Sequence, residues 1–409
     1  MMSSAINLFY LYDPWVMHVI RMSFVMGIVA FGYLFYLWKT QKIDGIKVPM
    51  DSFIAIFALI VLSIIPLLIN GTKELGVLIM YVKTLLLFSF GVMIYNAFYR
   101  TANSQGQCVR DLERGVIAQA IMGLLALTGI SLFVDIALGT NTSAILPRFA
   151  GSEQEYRLYN ITSSAFFQLS AFFVVLLHFW LAYNEKTNRQ QGIFLLLILF
   201  IGVMSGRTFF VLSALSILLY FKWRYVPYLI VFVAIVLGLA IYLPDNRYVE
   251  HALEPVINIL SRVMYNVGDW GDTDFSQISS STDTLMQKHL FMPELKQLLM
   301  GDGYYYTPDF RYYGGSDSGF IRQALYGGVG YILVCFLFTA YFVKRIADNW
   351  FEGSWKFTLS LLLILSVLNI KADTYAFPGI MLVLLMFLSL FGSHGKMLVL
   401  FKQSEAKNV

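Results

Sequence analysis

The side chains able to do chemistry are few and scattered. Arg148 and Arg157 share one polar segment, Arg207 stands alone in a second, and Arg311 lies in a third, each beside a glycine or an aromatic residue. An arginine carries a fixed fork of donors that matches phosphate oxygens. Arg207 is the sharpest case. It follows Gly206 where an apolar run begins, and the start of a helix holds anions through its free N–H groups and dipole. The competing reading is a plain turn arginine. Arg322 lies near the start of another apolar run, five residues after Asp317. Charge in such a place is costly, so Arg322 either binds substrate or forms a structural ion pair with Asp317. His289 and Asp283 occupy the same polar stretch as Asp317, and all three can carry a proton.

These residues need a scaffold, and composition names its class. The chain has 409 residues, 58% hydrophobic and 13% charged. Soluble domains carry about 25% charged residues. The expectation is an all-α, polytopic integral membrane bundle of about eleven spans, with one large extracytoplasmic loop containing short helices. The spans read as about 16–38, 52–70, 75–98, 115–139, 164–184, 192–205, 208–221, 226–243, 320–343, 357–371 and 377–392. Three regions follow: a first bundle at 1–244, the large loop at 245–319, and a second membrane part with a cytoplasmic tail at 320–409. The first segment has no basic region or small-residue cleavage site, so the first span serves as the targeting signal.

Basic residues set the orientation. Lys39, Lys42, Lys47, Arg100, Arg110, Arg114, Lys186, Arg189, Lys222, Arg224, Lys344, Arg345, Lys356, Lys396, Lys402 and Lys407 follow alternate spans. The opposite short segments carry only Lys73, Arg148, Arg157, Arg207 and Lys371, and the first fifteen residues carry none. The positive-inside rule puts the large loop and the N-terminus outside and the C-terminus inside.

Within the loop, Glu254 to Val267 reads as an amphipathic helix with Pro255 in its first turn. Gly268 to Asp272 reads as a turn cluster. Thr284 to Met300 reads as a second helix, capped by Thr282 or Asp283 and kinked or split by Pro293. The tyrosines at 304–306 and 312–313 suit a headgroup belt or sugar stacking.

Other chemistries lack their motifs. There is no C-x-x-C, no H-E-x-x-H and no spaced histidine cluster, so no metal is expected. There is no G-x-x-x-x-G-K-[ST] loop for a nucleotide and no G-x-S-x-G elbow. The net charge of +4 gives no sign of nucleic acid. The two cysteines, Cys108 and Cys335, indicate no disulfide framework.

Three places give the chain a resemblance to the O-antigen polymerase family of Gram-negative bacteria, and more loosely to the O-antigen ligases. Arg148-Phe149-Ala150-Gly151 with Asn160 downstream resembles an arginine-x-x-glycine segment of that family. Ser205-Gly206-Arg207 is similar to its serine-arginine element, with a glycine inserted here. Leu299 to Gly303, then Asp317 to Phe320 and Gly327 to Gly330, look like the close of the large loop and the helix after it. The ligases typically carry a histidine where Asp317 stands, which favours polymerase over ligase.

The resemblance implies a C-type, metal-independent glycosyltransferase in the bacterial inner membrane, with its active site facing the periplasm and no cofactor. It implies that oligosaccharide passes from one undecaprenyl diphosphate onto the non-reducing sugar of another lipid-linked repeat unit. A flippase and a chain-length regulator become expected partners, besides membrane lipid. Arg148, Arg157 and Arg207 would hold the diphosphate. Asp317 is the first choice of base, His289 the second and Asp283 the third, while Arg311 and Arg322 would orient the base or bind phosphate. A ligase is the nearest alternative. A transporter or flippase of lipid-linked oligosaccharide is the alternative of another class, and would call for related halves and intramembrane carboxylates.

Overall fold

The structure, a computed structural model, describes residues 1–142, 146–189, 191–265, 283–309, 311–392 and 397–402. It is 73% helical, with 17 helices among the described residues. In chain order these begin with α1 (Met2–Tyr12), a hairpin of β1 (Trp15–Val16) and β2 (Ile20–Arg21), and α2 (Met22–Lys39). There follow β3 (Ile46–Pro49), α3 (Met50–Leu62), α4 (Ile65–Asn70), α5 (Gly76–Phe98), α6 (Ser104–Leu127), α7 (Ser131–Gly139) and α8 (Leu146–Phe149). Next come α9 (Phe166–Thr187), α10 (Gly192–Ser205), α11 (Arg207–Leu219), α12 (Val226–Tyr242) and α13 (Arg247–Tyr265). The chain closes with α14 (Leu295–Met300), α15 (Gly319–Phe351), α16 (Trp355–Lys371), α17 (Ile380–Leu388) and β4 (Met397–Leu400).

Among the described residues, six helical stretches are long and apolar enough to cross a membrane: α2, Met50–Asn70, α5, α9, Trp223–Tyr242 and α15. Their surroundings are consistent with an all-α membrane protein. Rows of apolar side chains at helical spacing face outward, as with Leu359, Leu363, Val367 and Ile370 on α16 and Ile117, Ile121 and Leu124 on α6. In water such rows would be sticky patches. The central helix is α9, buried along most of its length against α10, α11, α16 and α17.

The two ends of the bundle differ. At one end, cations tie elements together: Lys186 Nζ donates to Trp350 O at 2.9 Å, Lys222 Nζ to Asn184 O at 2.8 Å, and Lys356 Nζ to Glu185 at 2.8 Å. The C-terminal strand β4 lies here, antiparallel to β3 with Lys47 opposite Val399. The other end gathers the starts of α9, α11 and α15, the ends of α10 and α16, and α13.

Sequence and structure part at several points. The first fifteen residues, expected outside, form a helix inside the bundle. Ser4 Oγ donates to Asp111 Oδ1 at 2.5 Å and accepts from Arg114 at 2.8 Å, near the basic end. Tyr12 O, at the far end of α1, accepts from Thr162 Oγ1 at 2.8 Å. The chain thus starts at the same end as its C-terminal strand. At 11 residues, α1 is too short to announce itself as a span, and its polar Asn7 donates to Tyr99 Oη at 3.3 Å.

The expected span at 16–38 starts later, because β1 and β2 form a hairpin before α2. The expected span at 115–139 breaks at Gly129, whose φ of 77° places it in the left-handed region. Helix α13 begins at Arg247, capped by Asn246 Oδ1 accepting from Tyr248 N at 3.0 Å and Val249 N at 3.3 Å. Pro255 therefore lies inside α13 and not in its first turn. The apolar face of α13 (Leu253, Val256, Ile257, Leu260) packs on Val236 and Ala240 of α12. The expected helix at 284–300 is split: a turn at Leu285–His289, an irregular piece through Pro293, then α14. The turn cluster at 268–272 and the candidate cap Thr282 lie outside the described residues.

The long helix α15 is broken. Gly327 and Gly328 leave helical geometry, Gly328 at φ 71°. The break frees carbonyls that the loop before the helix fills. Asp302 N donates to Leu325 O at 2.6 Å and Gly303 N to Tyr326 O at 3.0 Å. What approaches Gly328 is the backbone of α14, since a Cβ there would stand 2.6 Å from Leu299 O.

Candidate active site

A cavity of about 670 Å³ opens at the end of the bundle away from the lysine ties. Its walls come from all three expected regions. The first bundle contributes Arg148, Gln168 and Arg207, and α13 contributes His251. The later part of the chain contributes His289, Tyr312, Asp317, Arg322, Lys371 and Asp373.

The cationic wall is built where short connections meet helix ends. Arg207 opens α11 and forms an ion pair with Glu254 of α13. Gly206, between α10 and α11, gives Arg157 room: a Cβ at that position would stand 2.8 Å from both Arg157 Nη2 and Ser170 Oγ. Arg157 does not line the cavity but backs it. Its Nε donates to Ser205 O at 3.2 Å, and its guanidinium lies 4.3 Å from the centre of the Phe166 ring. Burial, helped by the nearby charge of Arg207, brings the Arg157 pKa down to about 10. Arg148 is exposed on α8 over Phe149, whose ring stacks 4.3 Å from that of Phe166. Lys371, at the end of α16, donates to Thr208 Oγ1 at 3.1 Å.

His251 answers to this concentration of charge. Tyr156 Oη lies 3.1 Å from its Nδ1. Burial first, then Arg207 and Arg157, lower its pKa to about 4, so it is neutral at ordinary pH.

The other wall carries an imidazole and a carboxylate. His289 Nε2 lies 3.4 Å from Asp317 Oδ2. In the neutral ring, Nδ1 accepts from Asp317 N at 3.2 Å, which puts the proton on Nε2, facing the carboxylate. In the imidazolium, Nδ1 donates to Gly315 O at 3.1 Å instead. Asp317 is 54% exposed and open to the cavity.

Arg322 anchors this wall. It is 4% exposed, and each of its nitrogens is engaged. Nη1 donates to Asp373 Oδ2 at 2.5 Å, Nε to Ser316 O at 3.0 Å and Nη2 to Asp317 O at 2.7 Å. The Tyr312 ring covers it at 3.4 Å. Its partner carboxylate is Asp373, with the Asp317 carboxylate farther off at 3.9 Å. Arg322 thus holds the backbone that presents Asp317, and its donors are committed to that.

Two sequence candidates stand apart. Asp283 accepts from Gln287 Nε2 at 2.5 Å and is not among the cavity residues. Arg311 lies exposed in a turn where its N–H donates to Thr307 Oγ1 at 3.2 Å, also off the lining. Tyr305 belongs to the core, and Tyr306 is half-buried against it.

Sequence reading passed over Lys371, Asp373, His251 and Glu254 as site residues. The signal for the first two was there, a Lys-Ala-Asp triplet between apolar runs. Among the described residues, no group of three His, Cys, Asp or Glu side chains is placed to hold a metal ion. The arrangement can grip a multiply charged anion on one wall and move a proton at the other. No family model, no curated protein and no solved structure matches this chain.

Proposed function

We propose that the protein is a lipid-linked oligosaccharide polymerase of the O-antigen type. The observation that carries this reading is the convergence of Arg148, Arg207 and Lys371, backed by Arg157, on a cavity whose far wall is the His289–Asp317 pair. The cavity end is the periplasmic one, since the lysine-rich end obeys the positive-inside rule. With α1 counted, the eleven expected passes become twelve, with both termini cytoplasmic.

In the reaction, the diphosphate of one lipid carrier sits on the cationic wall. A hydroxyl of the acceptor sugar attacks the anomeric carbon, and the bond from that carbon to the diphosphate oxygen breaks. Asp317 takes the hydroxyl proton, while His289 faces its carboxylate and Arg322 holds its backbone in place. The arginines stabilise the charge growing on the leaving lipid diphosphate. Partners would be the flippase that delivers repeat units and a regulator of chain length.

A ligase is the second reading, and one observation favours it. The histidine absent from position 317 is supplied next to it in space by His289.

The test uses Arg207→Ala and Asp317→Ala, each expressed in a strain lacking its own polymerase. Both are expected to abolish O-antigen laddering, each slowing transfer by roughly 10²–10³-fold. Full-length chains from both, at normal expression, would show the site to be wrong. Purified protein given labelled lipid-linked repeat units separates polymerase from transporter, and adding a lipid A core acceptor separates it from ligase.

A further inference from the structure

A second cavity, away from the candidate active site, has a different chemistry. It measures about 680 Å³ and lies at the lysine-rich end of the bundle. The turn after α9 gives it Asn188 and Arg189, and the connection between α11 and α12 gives it Lys222, Trp223 and Arg224. Gly192, Tyr225, Pro227 and Tyr228 complete it. A Cβ on Gly192 would fall within 1.9 Å of the Tyr228 ring, so the glycine is what lets that ring close the cavity wall.

Three cations face this space, and one of them is paired. Arg189 pairs with Glu113 at 3.3 Å. Lys222 donates to the Asn184 carbonyl at 2.8 Å. Arg224 is exposed and has no ion pair or hydrogen bond among the described residues. Nearby, Glu185 is paired with Lys356 at 2.8 Å and Glu352 with Lys186 at 3.0 Å. Trp223 is 82% exposed beside Phe221, their rings 5.5 Å apart, as aromatic residues stand at a membrane interface. The apolar helices α10 and α12 run from the cavity into the bundle, exposing Ile193 on one and Ile230 and Val233 on the other.

We infer that this cavity binds the phosphate of an anionic phospholipid, with the acyl chains lying along α10 and α12. Cations, ring platforms and an apolar track meet here at one depth, and a lipid offers the matching phosphate, glycerol and chains. The site is independent of the polymerase reading and needs only that the helices stand in a membrane.

Native mass spectrometry of the full-length protein tests it, with phosphatidylglycerol or phosphatidylcholine added at equal concentration. The wild type is expected to retain phosphatidylglycerol preferentially. The double variant Lys222→Ala, Arg224→Ala is expected to bind it about thirtyfold more weakly, about fivefold for each cation lost near an anionic surface. Lys39→Ala with Lys42→Ala removes the same charge from the same end and is expected to change retention little. Arg224→Lys keeps the charge and is expected to retain the lipid. Equal losses in the two double variants, or equal retention of the two lipids, would overturn the proposal in favour of adsorption by net charge. Retention abolished by millimolar inorganic phosphate, with phosphate bound in its place, would overturn it in favour of a free-anion site.

Discussion

Buried charge at the candidate site is organised in pairs, and the pairs differ in how they respond to substitution. Arg322 and Asp373 are 4% and 1% exposed and 2.5 Å apart. Asp373→Asn strands a buried guanidinium and is expected to cost about 3–5 kcal/mol, as is Arg322→Ala for the carboxylate left behind. Joint replacement by Arg322→Met and Asp373→Leu is expected to cost less than either single change, because no lone charge remains. Thermal melts in detergent read out the whole cycle. His251 makes a prediction in pH. Its folded pKa of about 4 lies below the ordinary value of 6.5. The unfolded chain therefore takes up the proton first, and stability falls as pH drops from about 6.5 towards about 4. In His251→Gln that part of the acid sensitivity is expected to vanish, seen as a smaller drop in melting temperature between pH 7 and pH 5.

Arg148, Arg207 and Asp317 were legible in sequence because a charge between apolar runs is conspicuous. Their partners were not. Arg322 was matched to Asp317, five residues away, and that pair is present at 3.9 Å, but the closer one, at 2.5 Å, is with Asp373, fifty-one residues away. A sequence reports that a charge is costly but not which distant group meets the cost. Lys371 and Asp373 were hidden differently: at the end of an apolar run, a lysine reads as a topology marker.

At the scale of elements, helix breaks shape the site. Gly206 separates α10 from α11 and lets Arg157 approach, and Gly328 bends α15 under α14. Each break was visible as a glycine, but only the fold says what fills it. Gly328→Ala would place a methyl 2.6 Å from Leu299 O in a left-handed residue. The strained backbone alone costs about 1–3 kcal/mol, and the contact adds to that. The variant is expected to loosen the segment 295–303, detected as faster amide exchange there than in wild type. Helix α1 escaped sequence analysis because an 11-residue amphipathic piece with a polar Asn7 has no span signature.

For the whole molecule, α1 has a consequence for topology. Since α1 starts near Arg114 and the last described strand, β4, pairs with β3 at Lys47, tags at the two termini are expected on one side of the membrane. Protease treatment of inverted vesicles should remove both; loss of only one would restore the odd number of passes expected from sequence. The all-α membrane class could be read from composition. A short buried helix such as α1 could not, since it is stabilised by packing and not by its own apolar length.

The stitch between the large loop and α15 also bears on how the protein is made. Residues 302 and 303 precede Leu325 and Tyr326 in the chain, so they leave the ribosome first. A helix with two open carbonyls would enter lipid at a cost of several kcal/mol for each unmet group. On the proposed topology, the donors are already across the membrane when the acceptors arrive. The order of synthesis thus supplies the loop as a waiting template, and a chain permuted to deliver α15 first would have to insert that helix with its break unfilled.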